Sequence, residues 1–132
     1  MKKRTMKKAL IVGLNKYPGC ELACCSNDAV AMKELIESNG DGSPNFDVVA
    51  ITDSCTKKNL KIHIEKLFAD DADIALLYFS GHGADCDGGY LCTTDFAEGD
   101  YGVRMTDVLE TANKSHCKNK VIILDCCFAA KM

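Results

Sequence analysis

The sequence contains no apolar stretch long enough to cross a membrane or to act as a secretion signal. Its first apolar run, Ala9 to Leu14, ends at Asn15, which is well short of the apolar region of a signal peptide. No other run approaches the roughly 20 residues of a membrane-spanning helix. We therefore expect a protein that has no membrane partner and resides in the cytoplasm.

Strong charge of one sign is also missing. The chain has 16 Lys and Arg residues against 19 Asp and Glu residues, and its dense basic run lies at the N-terminus. Neither interleaved aromatic residues nor a basic stripe follows that run, although surfaces that bind nucleic acid usually carry them. We interpret residues 1–7 as a solvated basic arm and expect no nucleic-acid partner.

Cysteine is abundant, with nine residues, but no two of them have the C-x-x-C spacing. Zinc sites and redox motifs commonly use that spacing, so we predict no metal ligands. The number of cysteines is odd and there is no export signal, which favours a reducing compartment over a disulfide framework. A cysteine-rich metal or redox protein is thus the least favoured of the functions considered.

Four continuous apolar runs of strand length are present. They are Ala9 to Val12, Val48 to Ile51, Ile74 to Phe79 and Val121 to Leu124. Continuous apolar strands are typical of sheets that are covered on both faces. Segments of helical period lie between them, and the third and fourth runs are separated by a long loop and a short helix.

The predicted helices begin at good N-cap residues or follow the apolar period of a helix. They run from Ser26 or Asn27 towards Gly40, from Thr56 through Phe68, and from Thr106 through Asn113. Strands that alternate with helices predict an α/β fold, a three-layer sandwich with a mostly parallel sheet, formed by residues 8–132 as one domain.

Residues that can carry chemistry follow these strands at their carboxyl ends, where such sheets bind ligands. His82 lies between two glycines directly after the third run, and Asp125, Cys126 and Cys127 directly follow the fourth. A loop histidine without a role is the plain alternative for His82 alone.

The two adjacent cysteines are separated by strand alternation. Side chains point to opposite faces in turn, so Asp125 shares a face with Cys127, whereas Cys126 points away, and Ser80 shares a face with His82. A thiolate nucleophile must be partly exposed. We therefore predict one buried thiol, Cys126, and one reactive thiol, Cys127.

In their order and spacing these segments resemble those of caspase-like cysteine peptidases, most of all metacaspases and bacterial caspase-family proteins. The matching segments are residues 8–15, 25–29, 78–83 and 122–128. The resemblance implies a caspase-like fold. A domain of this family continues with further strands, so we expect this chain to be the large-subunit half, with a fold that is incomplete at the C-terminus.

The resemblance also implies roles for individual residues. Cys127 aligns with the nucleophile and His82 with the general acid, while the backbone N–H groups of Gly83 and Cys127 would form an oxyanion hole. The residues that align with the primary specificity pocket are Cys25, Asp28, Ser80 and Asp125. Two carboxylates in that pocket would select arginine or lysine.

The expected function is therefore a cysteine endopeptidase that cleaves protein or peptide substrates after arginine or lysine and that requires a small subunit or a C-terminal extension. The alternative is a catalytically silent caspase-fold module with an interaction or regulatory role. Because the run Val121 to Leu124 has no blunting charge or proline, it should pair with a small subunit or with a second copy of the chain.

An acidic loop from Ala84 to Met105 raises the question of a cation. The resemblance implies an activating calcium in this region, whereas the chemistry itself requires no cofactor. The loop fails the spacing of an EF-hand, so a solvated acidic loop is the alternative. Its acidic residues, with one just beyond it, are Asp85, Asp87, Asp95, Glu98, Asp100 and Asp107.

Overall fold

The computed structural model describes the backbone of residues 5–127 and the side chains of residues 5–126. Most of the predicted basic arm, residues 1–7, lies outside the described residues, and so does the thiol of Cys127. The helices and strands are β1 (Lys7–Leu14), α1 (Cys25–Ile36), β2 (Asp47–Asp53), α2 (Lys57–Ala69), β3 (Ile74–Ala84), β4 (Tyr90–Ala97), β5 (Asp100–Arg104), α3 (Met105–Lys114) and β6 (Asn119–Cys127).

The four predicted apolar runs form the parallel part of the sheet, in the order β2-β1-β3-β6. Leu10 on β1 lies between Val49 on β2 and Leu77 on β3. Leu77 lies in turn beside Ile122 on β6. The described part of the chain thus has the predicted α/β fold with a mostly parallel sheet.

Helices cover both faces of this sheet. On one face Ala29 of α1 joins Ile11 and Tyr78 in a small core. On the other face Leu60 of α2 and Val108 of α3 join a larger core with the sheet. This two-sided cover explains why the strands read as continuous apolar runs. Within the described residues no helix combines the length and apolar character that a membrane span requires.

The sequence predicts that the third apolar run ends at Phe79, and this end is wrong because β3 continues as a strand through Ala84. The polar backbone groups of this extension have neighbours on both sides. His82 lies beside Cys127 on β6, and Ala84 lies beside Tyr90 on β4. Strand pairing therefore holds these residues extended in spite of their glycines.

The prediction of a long loop from Ala84 to Met105 is also wrong for most of its length, since β4 and β5 form an antiparallel hairpin there. Its inward side chains, including Leu91, Cys92 and Val103, are buried in the larger core. Gly99 makes the tight turn with a φ of 79°. The hairpin extends the sheet beyond β3 at its carboxyl end.

Contacts from outside the helix set both ends of α1. It begins at Cys25, slightly before the predicted start, because the Asn15 side-chain oxygen accepts a hydrogen bond from the Cys25 N–H at 2.9 Å. It ends at Ile36, before the predicted Gly40, because the Ile36 carbonyl accepts from the Phe46 N–H at 3.1 Å. Asn15 therefore ties the end of β1 to the start of α1.

Candidate active site

The carboxyl ends of β3 and β6 bring the predicted site residues together. Along this parallel pair Ser80 lies beside Asp125, and His82 lies beside Cys127. Neighbouring strands in a sheet are about 4.8 Å apart. The backbone positions of the predicted dyad are therefore direct neighbours, whereas the thiol itself lies outside the described side chains.

The His82 imidazole is held from one side. Its Nε2 atom lies 2.7 Å from the carbonyl oxygen of Cys20. A carbonyl oxygen only accepts hydrogen bonds, so Nε2 carries the proton in this contact. The other nitrogen, Nδ1, is then the one that can exchange a proton with a neighbouring group.

A tight turn presents the Cys20 carbonyl. The Cys20 N–H donates to the Tyr17 carbonyl at 3.1 Å, with Pro18 and Gly19 at the two central positions. Gly19 has a φ of 78°. Proline followed by a glycine of positive φ is the sequence that a type II turn requires. Local sequence therefore fixes the group that binds His82.

The four predicted pocket residues lie together on the α1 side of the sheet. Cys25 and Ser80 are buried, with exposed fractions of 9% and 1%. Burial raises the pKa of the Cys25 thiol, and the nearby carboxylates of Asp28 and Asp125 raise it further. A hydrogen bond with the Ser80 hydroxyl acts in the opposite sense. Both carboxylates thus lie near the buried Cys25 thiol.

Tyr78 joins this group, although the sequence reasoning did not select it. It is 6% exposed. Burial raises the pKa of its hydroxyl, and the carboxylates of Asp125 and Asp28 add to that effect. The rule that assigned Ser80 and His82 to one face also applies two residues earlier, so alternation was the signal that could have found Tyr78.

Cys126 faces the larger core on the other side of the sheet. Burial raises the pKa of its thiol to about 12, and the nearby Cys92 and Asp125 also contribute. A thiol with so high a pKa is neutral at physiological pH and a poor nucleophile. This placement agrees with the prediction that Cys126 is the structural member of the pair, while the role of Cys127 stays a prediction.

Part of the acidic segment is used to hold the hairpin. One oxygen of Asp95 accepts from the Thr93 hydroxyl at 2.6 Å and from the Lys57 N–H at 3.0 Å. Asp100 pairs with the Lys57 ammonium at 2.8 Å. Among the described side chains, no three His, Cys, Asp or Glu residues are grouped so that they could hold a metal ion. Activation by calcium stays a prediction to which this arrangement adds no support.

Similarity to known proteins agrees with this geometry. A family model for the caspase domain matches residues 6–132. Metacaspase-4 of Arabidopsis thaliana is 38% identical over 86 residues, a match that covers 58% of this chain. The chain spans 20% of the length of that curated relative. The match of the family model across nearly the whole sequence shows that the chain belongs to the caspase-domain family.

Proposed function

We propose that this chain is the histidine- and cysteine-bearing part of a cysteine endopeptidase that cleaves after arginine or lysine. The observation that carries the proposal is the pairing of His82 with Cys127 on neighbouring parallel strands. Family membership supports cysteine peptidase chemistry in general. The specificity and the dyad are inferred from the residues around this pair.

In the proposed reaction His82 accepts the thiol proton of Cys127 on Nδ1, because Nε2 is bonded to the Cys20 carbonyl. The thiolate attacks the carbonyl carbon of the scissile peptide bond. The oxyanion that forms accepts hydrogen bonds from the N–H groups of Gly83 and Cys127. Nδ1 then gives its proton to the leaving amine, and water, activated by the same nitrogen, hydrolyses the thioester.

Selectivity for a basic residue is proposed to come from Asp28 and Asp125. Both carboxylates lie near the same two buried groups, Cys25 and Tyr78. An arginine side chain can satisfy two carboxylates at once with its forked guanidinium. We expect lysine to be accepted less well, because its ammonium is a single point of charge.

Completion of the sheet is the second part of the proposal. Within the described residues β6 pairs only with β3, so its other edge is open. Val121, Ile123 and Leu124 on this strand are 38%, 40% and 36% exposed. A strand from a small subunit or from a second copy would cover them. The same open edge favours the alternative function, a caspase-fold module that binds partners without cleaving them.

Matched peptide amides with arginine, lysine or aspartate before the scissile bond test the proposed specificity. The arginine peptide should be cleaved fastest. Asp125→Asn should lower its kcat/KM about tenfold, or about 1.4 kcal/mol, because the guanidinium loses one of its two charged partners. Asp47→Asn, at the opposite edge of the sheet, should have no effect. Faster cleavage after aspartate than after arginine would contradict the proposal.

A further inference from the structure

Tyr17 lies against His82 and has no solvent exposure. Its hydroxyl oxygen accepts a hydrogen bond from the His82 backbone N–H at 3.2 Å and donates one to the Cys92 carbonyl at 2.8 Å. Its ring meets the His82 imidazole edge to face, with the ring centres 4.6 Å apart. One side chain therefore contacts both the backbone and the ring of His82.

The backbone of Tyr17 contributes as well. The turn that begins at Tyr17 ends at Cys20, whose carbonyl holds the Nε2 atom of His82. The His82 imidazole is thus fixed by an edge-to-face contact with the Tyr17 ring and by a hydrogen bond to the Cys20 carbonyl, and both contacts come from residues 17–20. Movement of Tyr17 would displace both constraints together.

Gly81 leaves the space that the Tyr17 hydroxyl occupies. A Cβ atom at this position would collide with that hydroxyl and would lie 2.9 Å from the ring of Phe79. The glycine next to the histidine is therefore needed for close approach, since β3 is a paired strand at this point and makes no turn. Burial also raises the pKa of Tyr17, so its hydroxyl stays protonated and able to donate.

We propose that Tyr17 is a positioning residue for His82, which holds the imidazole with its proton on Nε2 and leaves Nδ1 for proton transfer. The inference rests on the proposed function of His82 as the proton-transfer group. The inference adds Tyr17 as the residue that orients His82, and Tyr17 itself need not touch the substrate. Cys92 on β4 completes the chain of hydrogen bonds, so the β4–β5 hairpin supports the same histidine.

Tyr17→Phe removes the hydroxyl and keeps the ring. Tyr90→Phe is the matched control, because Tyr90 is 6% exposed and its hydroxyl accepts from Arg104 at 3.0 Å, away from His82. Nitrogen NMR of isotope-labelled histidine in the whole chain reports the tautomer of His82. Tyr17→Phe should convert a single Nε2–H signal into a mixture and should speed exchange of the His82 amide at least tenfold, whereas Tyr90→Phe should change neither.

Turnover provides the second readout. Misplaced proton transfer should lower kcat about tenfold to a hundredfold in Tyr17→Phe and leave KM within about twofold, because the substrate pocket is untouched. An unchanged tautomer and amide exchange in a folded Tyr17→Phe would overturn the inference. If the unaltered chain cleaves no peptide even when its sheet is completed by a small subunit or a second strand, but the NMR changes occur, the proposed function fails and the positioning role stands.

A second variant keeps the inference testable if Tyr17→Phe unfolds. Gly81→Ala adds a methyl group against the Tyr17 hydroxyl and should perturb the His82 tautomer in the same way. In the double variant with Tyr17→Phe, Gly81→Ala should perturb the His82 tautomer and lower thermal stability less than it does alone. The reason is that the Tyr17 hydroxyl, which the added methyl group would contact, is absent. Strictly additive effects on the tautomer and on thermal stability would contradict the direct contact.

Discussion

At the residue scale, Cys126 near the end of β6 shows how burial determines the chemistry of a thiol. Cys126 is partly buried against the larger core, and this burial raises its pKa to about 12. Cys92 lies in the same core, and burial raises its pKa to about 11. Both thiols are neutral in the folded protein at physiological pH. Their role is therefore packing, and their presence does not compete with the nucleophilic chemistry proposed for Cys127.

These raised pKa values predict how stability depends on pH. An unfolded thiol ionises near pH 9, whereas Cys92 and Cys126 in the fold stay neutral until about pH 11 and 12. Their contribution is complete below pH 9 and is lost as the pH rises, by up to about 1.4 kcal/mol per pH unit for each thiol. Urea unfolding under reducing conditions between pH 8 and about 10.5 measures this slope.

Cysteine variants isolate the effect of the two thiols. Cys92→Ala combined with Cys126→Ala should flatten the decline in unfolding free energy above pH 9, even though the variant starts from lower stability. Cys24→Ala, which removes an exposed thiol, should leave the decline unchanged. A decline of equal steepness in all three proteins would show that the buried thiols do not cause it.

The candidate site was predictable where strand period and motif position suffice. Strand order brought Ser80 beside Asp125 and His82 beside Cys127, and alternation directed Cys126 towards the larger core. Tyr78 and Tyr17 were missed for different reasons. Tyr78 lies inside an apolar run that was assigned to the core, while the contacts of Tyr17 depend on a turn that folds back over β3. Nothing in the spacing of Tyr17 and His82 along the sequence indicates this contact.

At the element scale, the β4–β5 hairpin is the main difference between prediction and structure. Its sequence, residues 90–104, interrupts the apolar side chains with acidic residues and glycines, so no continuous apolar run of strand length marks either strand. It becomes a strand pair because a few side chains, including Leu91 and Val103, enter the core and because the end of β3 offers an unpaired edge. That edge is a tertiary feature and cannot be read from local composition.

Asp95 should therefore act as a structural residue of this hairpin. Asp95→Ala would remove the acceptor for the Lys57 N–H at the start of α2 and for the Thr93 hydroxyl. We expect a loss of about 1–2 kcal/mol in the free energy of unfolding, the range of a helix cap. Glu98→Ala, two residues before the start of β5, is the control and should cost less than about 0.5 kcal/mol. Equal losses in both variants would contradict the capping role.

At the scale of the whole molecule, the open edge of β6 should determine how the chain associates. Val121 and Ile123 are partly exposed along this edge, and within the described residues no strand covers it. Uncovered strands of this kind add further strands from other chains. We expect the chain on its own to self-associate in sedimentation experiments, so that the associated fraction rises with the concentration of the chain.

A charge placed on the edge distinguishes this association from nonspecific aggregation. Ile123→Lys should shift the chain towards a monomer, because a lysine on an edge strand opposes strand addition. Val49→Lys on β2, the other outer strand of the parallel sheet, replaces a side chain that is 50% exposed and should not reduce association. A stable monomer of the unaltered chain at all concentrations would contradict the proposed partner surface.

The most direct measurement of the proposed chemistry is the site of covalent labelling by an irreversible peptidyl inhibitor with arginine at the cleaved position. The inhibitor should be added to the chain in the presence of the segment that completes its sheet. The modified residue should then be identified by mass spectrometry. We predict labelling of Cys127, its loss in His82→Ala, and slower labelling by the matched aspartate inhibitor. Labelling of Cys126 or Cys25 instead, or equal labelling without His82, would contradict the assignment of the dyad.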